Sequence, residues 1–183
     1  MDSNVSEQKT SSITSWQENL NHLLKSTSSN NRVALVGVGH PLRGDDYTGS
    51  LIVKALGKKA ENYSRNGLYI FDAEDDVEGV ISKLAKLHPK HVVFIDACEM
   101  KMKPGELRLL SIEDTSYPFF TTHGIPLKLL AQKLLPESEA WMLAIQLESL
   151  ELTDHLSTKL SDTARSVIEL IGSSLKEAEL TNA

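Results

Sequence analysis

Short unbroken apolar runs alternate along this chain with longer stretches whose apolar residues recur every three or four positions. Val33 to Val38 (VALVGV) is rich in β-branched residues and has no polar interruption, the pattern of a strand buried on both faces. Asp46 to Ala60 follows with Leu51, Ile52, Ala55 and Leu56 on one helical face. Leu68 to Phe71 (LYIF) predicts a second strand, and Val77, Val80, Ile81, Leu84 and Leu87 a second helix. Val92 to Ile95 (VVFI) predicts a third strand and Trp141 to Leu147 (WMLAIQL) a last one. Pro126 suits the first turn of a helix carrying Leu127, Leu129, Leu130 and Leu134. Ser157 to about Lys176 closes the chain as a helix with Leu160, Ala164, Val167, Ile168 and Ile171 inward.

Pro104-Gly105 marks a turn into Glu106 to Leu110 (ELRLL), read as a short antiparallel strand at an edge. Strands interleaved with helices predict a three-layer α/β/α sandwich around a mostly parallel, twisted sheet of roughly five strands. The segment 1–31 stands apart, rich in Ser, Thr and Asn. Within it Ile13, Trp16, Leu20, Leu23 and Leu24 keep helical spacing, and Ser15 with Glu18 forms a capping-box pattern. An amphipathic helix over about 13–25 is expected, its apolar stripe docked on the body, with a polar linker to residue 31. Residues 32–183 form the single α/β domain.

The 183 residues suffice for one core. The chain holds 19 Lys and Arg against 25 Asp and Glu, a formal charge of −6, without a basic cluster. Nucleic acid is therefore excluded as a partner, because phosphate binding needs a concentrated basic surface. Cys98 is the only cysteine, so internal disulfides and CxxC metal sites are also excluded. No apolar run approaches the roughly 20 residues that span a bilayer, and the N-terminus lacks a signal pattern; a cytoplasmic protein without membrane contact is expected.

In parallel sheets ligands sit beyond the carboxyl ends of the strands, and here those ends are acidic. Strand one leads into Gly37-Val38-Gly39-His40-Pro41-Leu42-Arg43-Gly44-Asp45-Asp46, strand two into Asp72 and strand three into Asp96. Thr121-Thr122-His123-Gly124 precedes the Pro126 helix, bringing His123 to the same rim. GVGHPL lacks the third glycine of a dinucleotide fingerprint, and the acidic pair opposes a pyrophosphate. Asp45 is expected to cap the following helix. Asp46 in a first helical turn stays ionised, and Asp96 at the end of an apolar strand needs a partner. Two carboxylates and an imidazole suit nickel, zinc or a neighbouring divalent ion, with too few oxygens for calcium.

These residues resemble the hydrogenase maturation proteases, of the archaeal HycI-like type. The matching stretches are VALVGVGHPLRGDDYTGSLIV, HVVFIDACEMKMKPGELRLL, TTHGIPLKLLAQKL and LAIQLESLELTDHLS, spanning about Arg32 to Ile171. The resemblance implies an endopeptidase that removes a C-terminal extension from a [NiFe]-hydrogenase large-subunit precursor once nickel is inserted. It places the metal-contacting, catalytic triad on Asp46, Asp96 and His123, and a further acidic position, counted with the catalytic residues, on Asp72. It implies nickel brought by the precursor, other divalent ions being able to occupy the same donors. A monomer is expected, since it suits a cleft that must admit a large protein.

The chain departs from the family pattern at three places. His40 stands where the loop usually has Asn, Tyr47 replaces a small residue, and DAEDDVE at 72–78 replaces a Gly-Thr turn. The acidic run reads either as a solvated helix start or as a preference for a basic residue at the cleavage site. Two other functions compete: a binding module that docks the metal-loaded precursor without cutting it, and a metallohydrolase with its own resident ion.

Overall fold

A computed structural model describes residues 15–60, 67–113, 121–122 and 125–181. The elements run α1 (Trp16–Lys25), β1 (Val33–Val38), a 3-10 turn (Gly44–Tyr47), α2 (Thr48–Ala60), β2 (Leu68–Glu74), α3 (Val77–Leu87), β3 (His91–Cys98) and β4 (Leu107–Ser111). They continue with β5 (Thr121–Thr122), β6 (Ile125–Pro126), α4 (Leu127–Leu134), β7 (Glu139–Gln146) and α5 (Thr158–Thr181). The main sheet has five strands in the order β2-β1-β3-β7-β4, and β5 pairs with β6 in a separate two-stranded sheet. β1 is parallel to β2 and β3, β7 is parallel to β3, and β4 closes the edge antiparallel to β7. The α/β class, the mostly parallel sheet and the antiparallel edge agree with the sequence reading.

Each face of the sheet carries its own core. Val33, Leu35, Val93, Ile95, Leu143 and Ile145 point to one side, against Ile52 and Leu56 of α2 and Leu160, Val167 and Ile171 of α5. Ala34, Val36, Val92, Phe94 and Met142 point to the other, against Ile81 and Leu84 of α3 and Leu130 of α4. Central strands must therefore be apolar at every position, which is why VALVGV and VVFI stand out in the sequence. The Ser15 hydroxyl accepts from the Glu18 N–H at 3.2 Å, and a Glu18 carboxylate oxygen accepts from the Ser15 N–H at 2.9 Å. This reciprocal cap starts α1, whose Leu20, Leu23 and Leu24 join the same core as α5.

Two local expectations are revised. The helix expected from Asp46 begins at Thr48, because residues 44–47 form the tighter 3-10 turn. β2 and β3 run further than the apolar signal suggested, so Asp72 and Asp96 lie inside strands and not after them. One aspartate interrupts each apolar run, and the ladder continues beyond it through buried Ala73 in β2 and buried Ala97 and Cys98 in β3.

Candidate active site

The carboxyl ends of β1 and β3 lie side by side, Gly37 being in register with Ile95. Close backbone contact presses the turn bearing Asp46 onto them. A Cβ at Gly49 would stand 2.0 Å from the Ile95 carbonyl oxygen. Gly39 has φ +128°, and a Cβ there would stand 1.8 Å from the carbonyl oxygen of Asp46 itself. The glycines of this loop thus let two backbones meet where a side chain would separate them. The Asp46 carboxylate is half-buried, and its Oδ2 accepts from the His40 N–H at 2.9 Å.

Asp96 follows Ile95 in β3 and turns its half-buried side chain into the same cleft as Asp46. Burial first, and the Asp46 charge second, push its carboxyl up to about 7. Among the described residues no base forms an ion pair with either carboxylate. Asp96 beside the Asp46 charge and without a counter-charge is favoured in its neutral form, and a cation between the two would relieve the repulsion. The cleft encloses about 410 Å³, and Glu74, Asp75 and Glu99 add to its acidity, while Arg43 is the one base among its described lining residues. Cys98 also lines it, but burial, followed by Asp96 and Glu99, pushes the thiol up to about 12. A thiolate nucleophile is not available there.

Asp72 is placed differently from Asp46 and Asp96. It is absent from the lining of this cleft, and its Oδ2 lies 3.0 Å from Lys54 Nζ. Lys54 also pairs with Glu74 at 2.7 Å and donates to the Tyr47 hydroxyl at 3.2 Å. Glu74 above all holds the Lys54 ammonium well above the usual lysine range. Tyr47, unusual for the loop pattern, thus steadies the lysine that ties α2 to β2.

Asp45 does not cap the helix that follows it. Its carboxylate is only 2% exposed and reaches across the molecule. Oδ2 accepts from the N–H groups of Glu148 and Ser149 at 2.9 and 3.0 Å, and Oδ1 from that of Ser157 at 2.7 Å. Ser157 in turn caps α5, its hydroxyl accepting from the Leu160 N–H at 3.2 Å. The loop between β7 and α5 is therefore pinned to the loop after β1. Sequence reasoning could not find this, because the partners lie more than a hundred positions away.

His40 Nδ1 accepts from the Leu42 N–H at 3.1 Å, and its Nε2 stands 3.8 Å from Asp75. Arg43 and Glu99 at the cleft were not singled out from the sequence, since nothing local distinguishes them from solvated charges, and Glu74 was marked only as part of the acidic run 72–78. His123 lies outside the described residues. Among the described residues no three His, Cys, Asp or Glu side chains are grouped to hold a metal ion.

An acidic cleft at the carboxyl edge of a parallel sheet defines the class, and the comparisons supply the family. The hydrogenase maturation protease (HycI) profile matches residues 50–176, and this chain belongs to that family. It is a peptidase. The hydrogenase 3 maturation protease of Escherichia coli K12 is 31% identical over 114 residues, covering 61% of this chain and 70% of that one. A putative hydrogenase maturation protease of Methanocaldococcus jannaschii is 27% identical over 116 residues, 61% of this chain and 69% of its own. Among solved structures, the [NiFe] hydrogenase maturation protease HycI of Thermococcus kodakarensis KOD1 superposes with a TM-score of 0.74 at 25% identity. That match covers 86% of this chain and 99% of the Thermococcus protein. The endopeptidase HycI of Escherichia coli gives 0.64 at 26% identity, over 77% of this chain and 90% of its own.

Proposed function

We propose that this peptidase removes the C-terminal extension of a [NiFe]-hydrogenase large-subunit precursor after nickel insertion, meeting the precursor's nickel through Asp46, Asp96 and His123. The observation that carries the reading is the convergence of Asp46 and Asp96 on one cleft without a basic partner. Mutual repulsion raises the free energy of the doubly ionised site, and a divalent cation relieves it. An imidazole added to two carboxylates makes a donor set suited to nickel. His123 enters through the family resemblance alone.

Nickel here belongs to the substrate. Docking it against Asp46 and Asp96 brings the adjoining tail of the precursor into the cleft, which converts recognition of a finished metal centre into positioning of the bond to be cut. The site is expected in the cytoplasm, where the precursor is made.

The reading is tested by incubating the enzyme with nickel-loaded and nickel-free precursor and following the mass of the large subunit. Cleavage of the loaded form alone is expected, and equal cleavage of both overturns the proposal. Asp46→Asn and Asp96→Asn should each lower the rate by at least about a hundredfold, the scale associated with losing one positioned catalytic group.

A further inference from the structure

We propose that Leu42, Leu150 and Leu152 form the surface that receives an extended stretch of the precursor tail beside the scissile bond, a stretch carrying apolar side chains among basic ones. The inference deepens the processing reading and rests on it. Leu42 is 61% exposed, Leu150 72% and Leu152 82%. Single exposed leucines are ordinary on a protein surface. These three collect at one place. Leu150 lines the cleft that holds Asp46 and Asp96, while Leu42 and Leu152 line the adjoining hollow. Arg43 lines both, so the two adjoin at that side chain.

The leucines are also held in place. Asp45 fixes the start and end of the β7–α5 loop through its three amide bonds, and the Gly44 N–H donates to the Thr153 carbonyl at 2.7 Å. The Glu151 N–H donates to the Ser149 hydroxyl at 3.1 Å. A buried carboxylate thus orders a loop whose Leu147 and Leu156 pack on the core while Leu150 and Leu152 face solvent and add little to it. This does remove the ordering cost from a later docking event. Exposed Glu148, Glu151 and Asp154 alternate with the leucines, and Glu74, Asp75 and Glu99 border the neighbouring cleft. That charge favours a cationic chain and disfavours an acidic one.

The test uses a fluorescently labelled peptide spanning the cleavage site of the precursor, titrated by anisotropy with metal-free enzyme. Its partners are the wild-type enzyme and the triple variant Leu42→Ser, Leu150→Ser, Leu152→Ser. The variant should unfold at the wild-type temperature, since the side chains are exposed, and bind the peptide at least about tenfold more weakly. A peptide with its apolar residues replaced by serine should bind wild-type enzyme equally weakly. Equal affinity of both proteins for the native peptide, or no binding by wild type, overturns the proposal. So does a wild-type dimer that the substitutions dissociate without changing peptide affinity, which would assign the surface to a second copy. Wild-type enzyme that binds the peptide in this leucine-dependent way, yet leaves nickel-loaded precursor uncut, supports the surface and counts against the processing reading.

Discussion

At Asp96 the sign of the pH effect follows from burial. The carboxyl moves from 3.8 to about 7 on folding, so between those values the folded protein keeps a proton that the unfolded chain has released. Stability must fall as pH rises from about 4 to about 7. Asp96→Asn removes this titration, and its stability relative to wild type should increase across that window and level off above it. The gain is on the order of 2 kcal/mol, less than the full linkage value because the side chain keeps some contact with solvent. Urea melts at several pH values measure it, and a constant difference between the two proteins would refute the assignment. Asp45 gives the opposite result. Asp45→Ala leaves three amides of one loop without their acceptor, and a loss of about 3 kcal/mol is expected in the same melts. The adjacent acids Asp45 and Asp46 are indistinguishable by type and position in sequence, yet one is an internal tie and the other faces the cleft. The difference lies in the approach of Glu148, Ser149 and Ser157, which no local pattern announces.

Elements were more legible than residues. Strands buried on both faces must be continuously apolar, and helices on those faces must repeat near 3.6, so β1, β3, α3 and α5 could be read from Val33–Val38, Val92–Ile95, the leucines after Val77 and those after Ser157. The short β5 and β6 carry two residues each and leave no periodic signal. The ends of β2 and β3 escaped because a single aspartate breaks each apolar run before the ladder ends, and this changes where Asp72 stands: within β2, gripped by Lys54 from α2. At α1, Ser15 and Glu18 marked the start of the helix, and the leucine stripe foretold its docked face. Leu24 is fully buried there in the core shared with α5. Leu24→Ala should therefore destabilise the whole protein by about 2–5 kcal/mol. If the helix were a loosely attached appendage, hydrogen exchange would instead show loss confined to residues 16–25, with the sheet unaffected.

For the molecule as a whole, the formal charge of −6 describes an uneven distribution. Acids from β1's loop, β2, β3 and the β7–α5 loop gather around one end of the sheet, while both faces are sealed by helices. Among the described residues no helix is long and apolar enough to cross a membrane. The cleft wall also contains the chain's one cysteine, in a state that has a practical consequence. Cys98 is 8% exposed, and its thiol is held near 12, so almost none of it is thiolate in ordinary buffers. Alkylating reagents and thiol-directed inhibitors should leave both the mass and the activity of the enzyme unchanged after incubation at pH 7, and modification with parallel inactivation would contradict this. The thiol should accordingly tolerate handling in air without reductant, a resistance that comes first from burial and then from Asp96 and Glu99, acids that also equip the cleft for a cation.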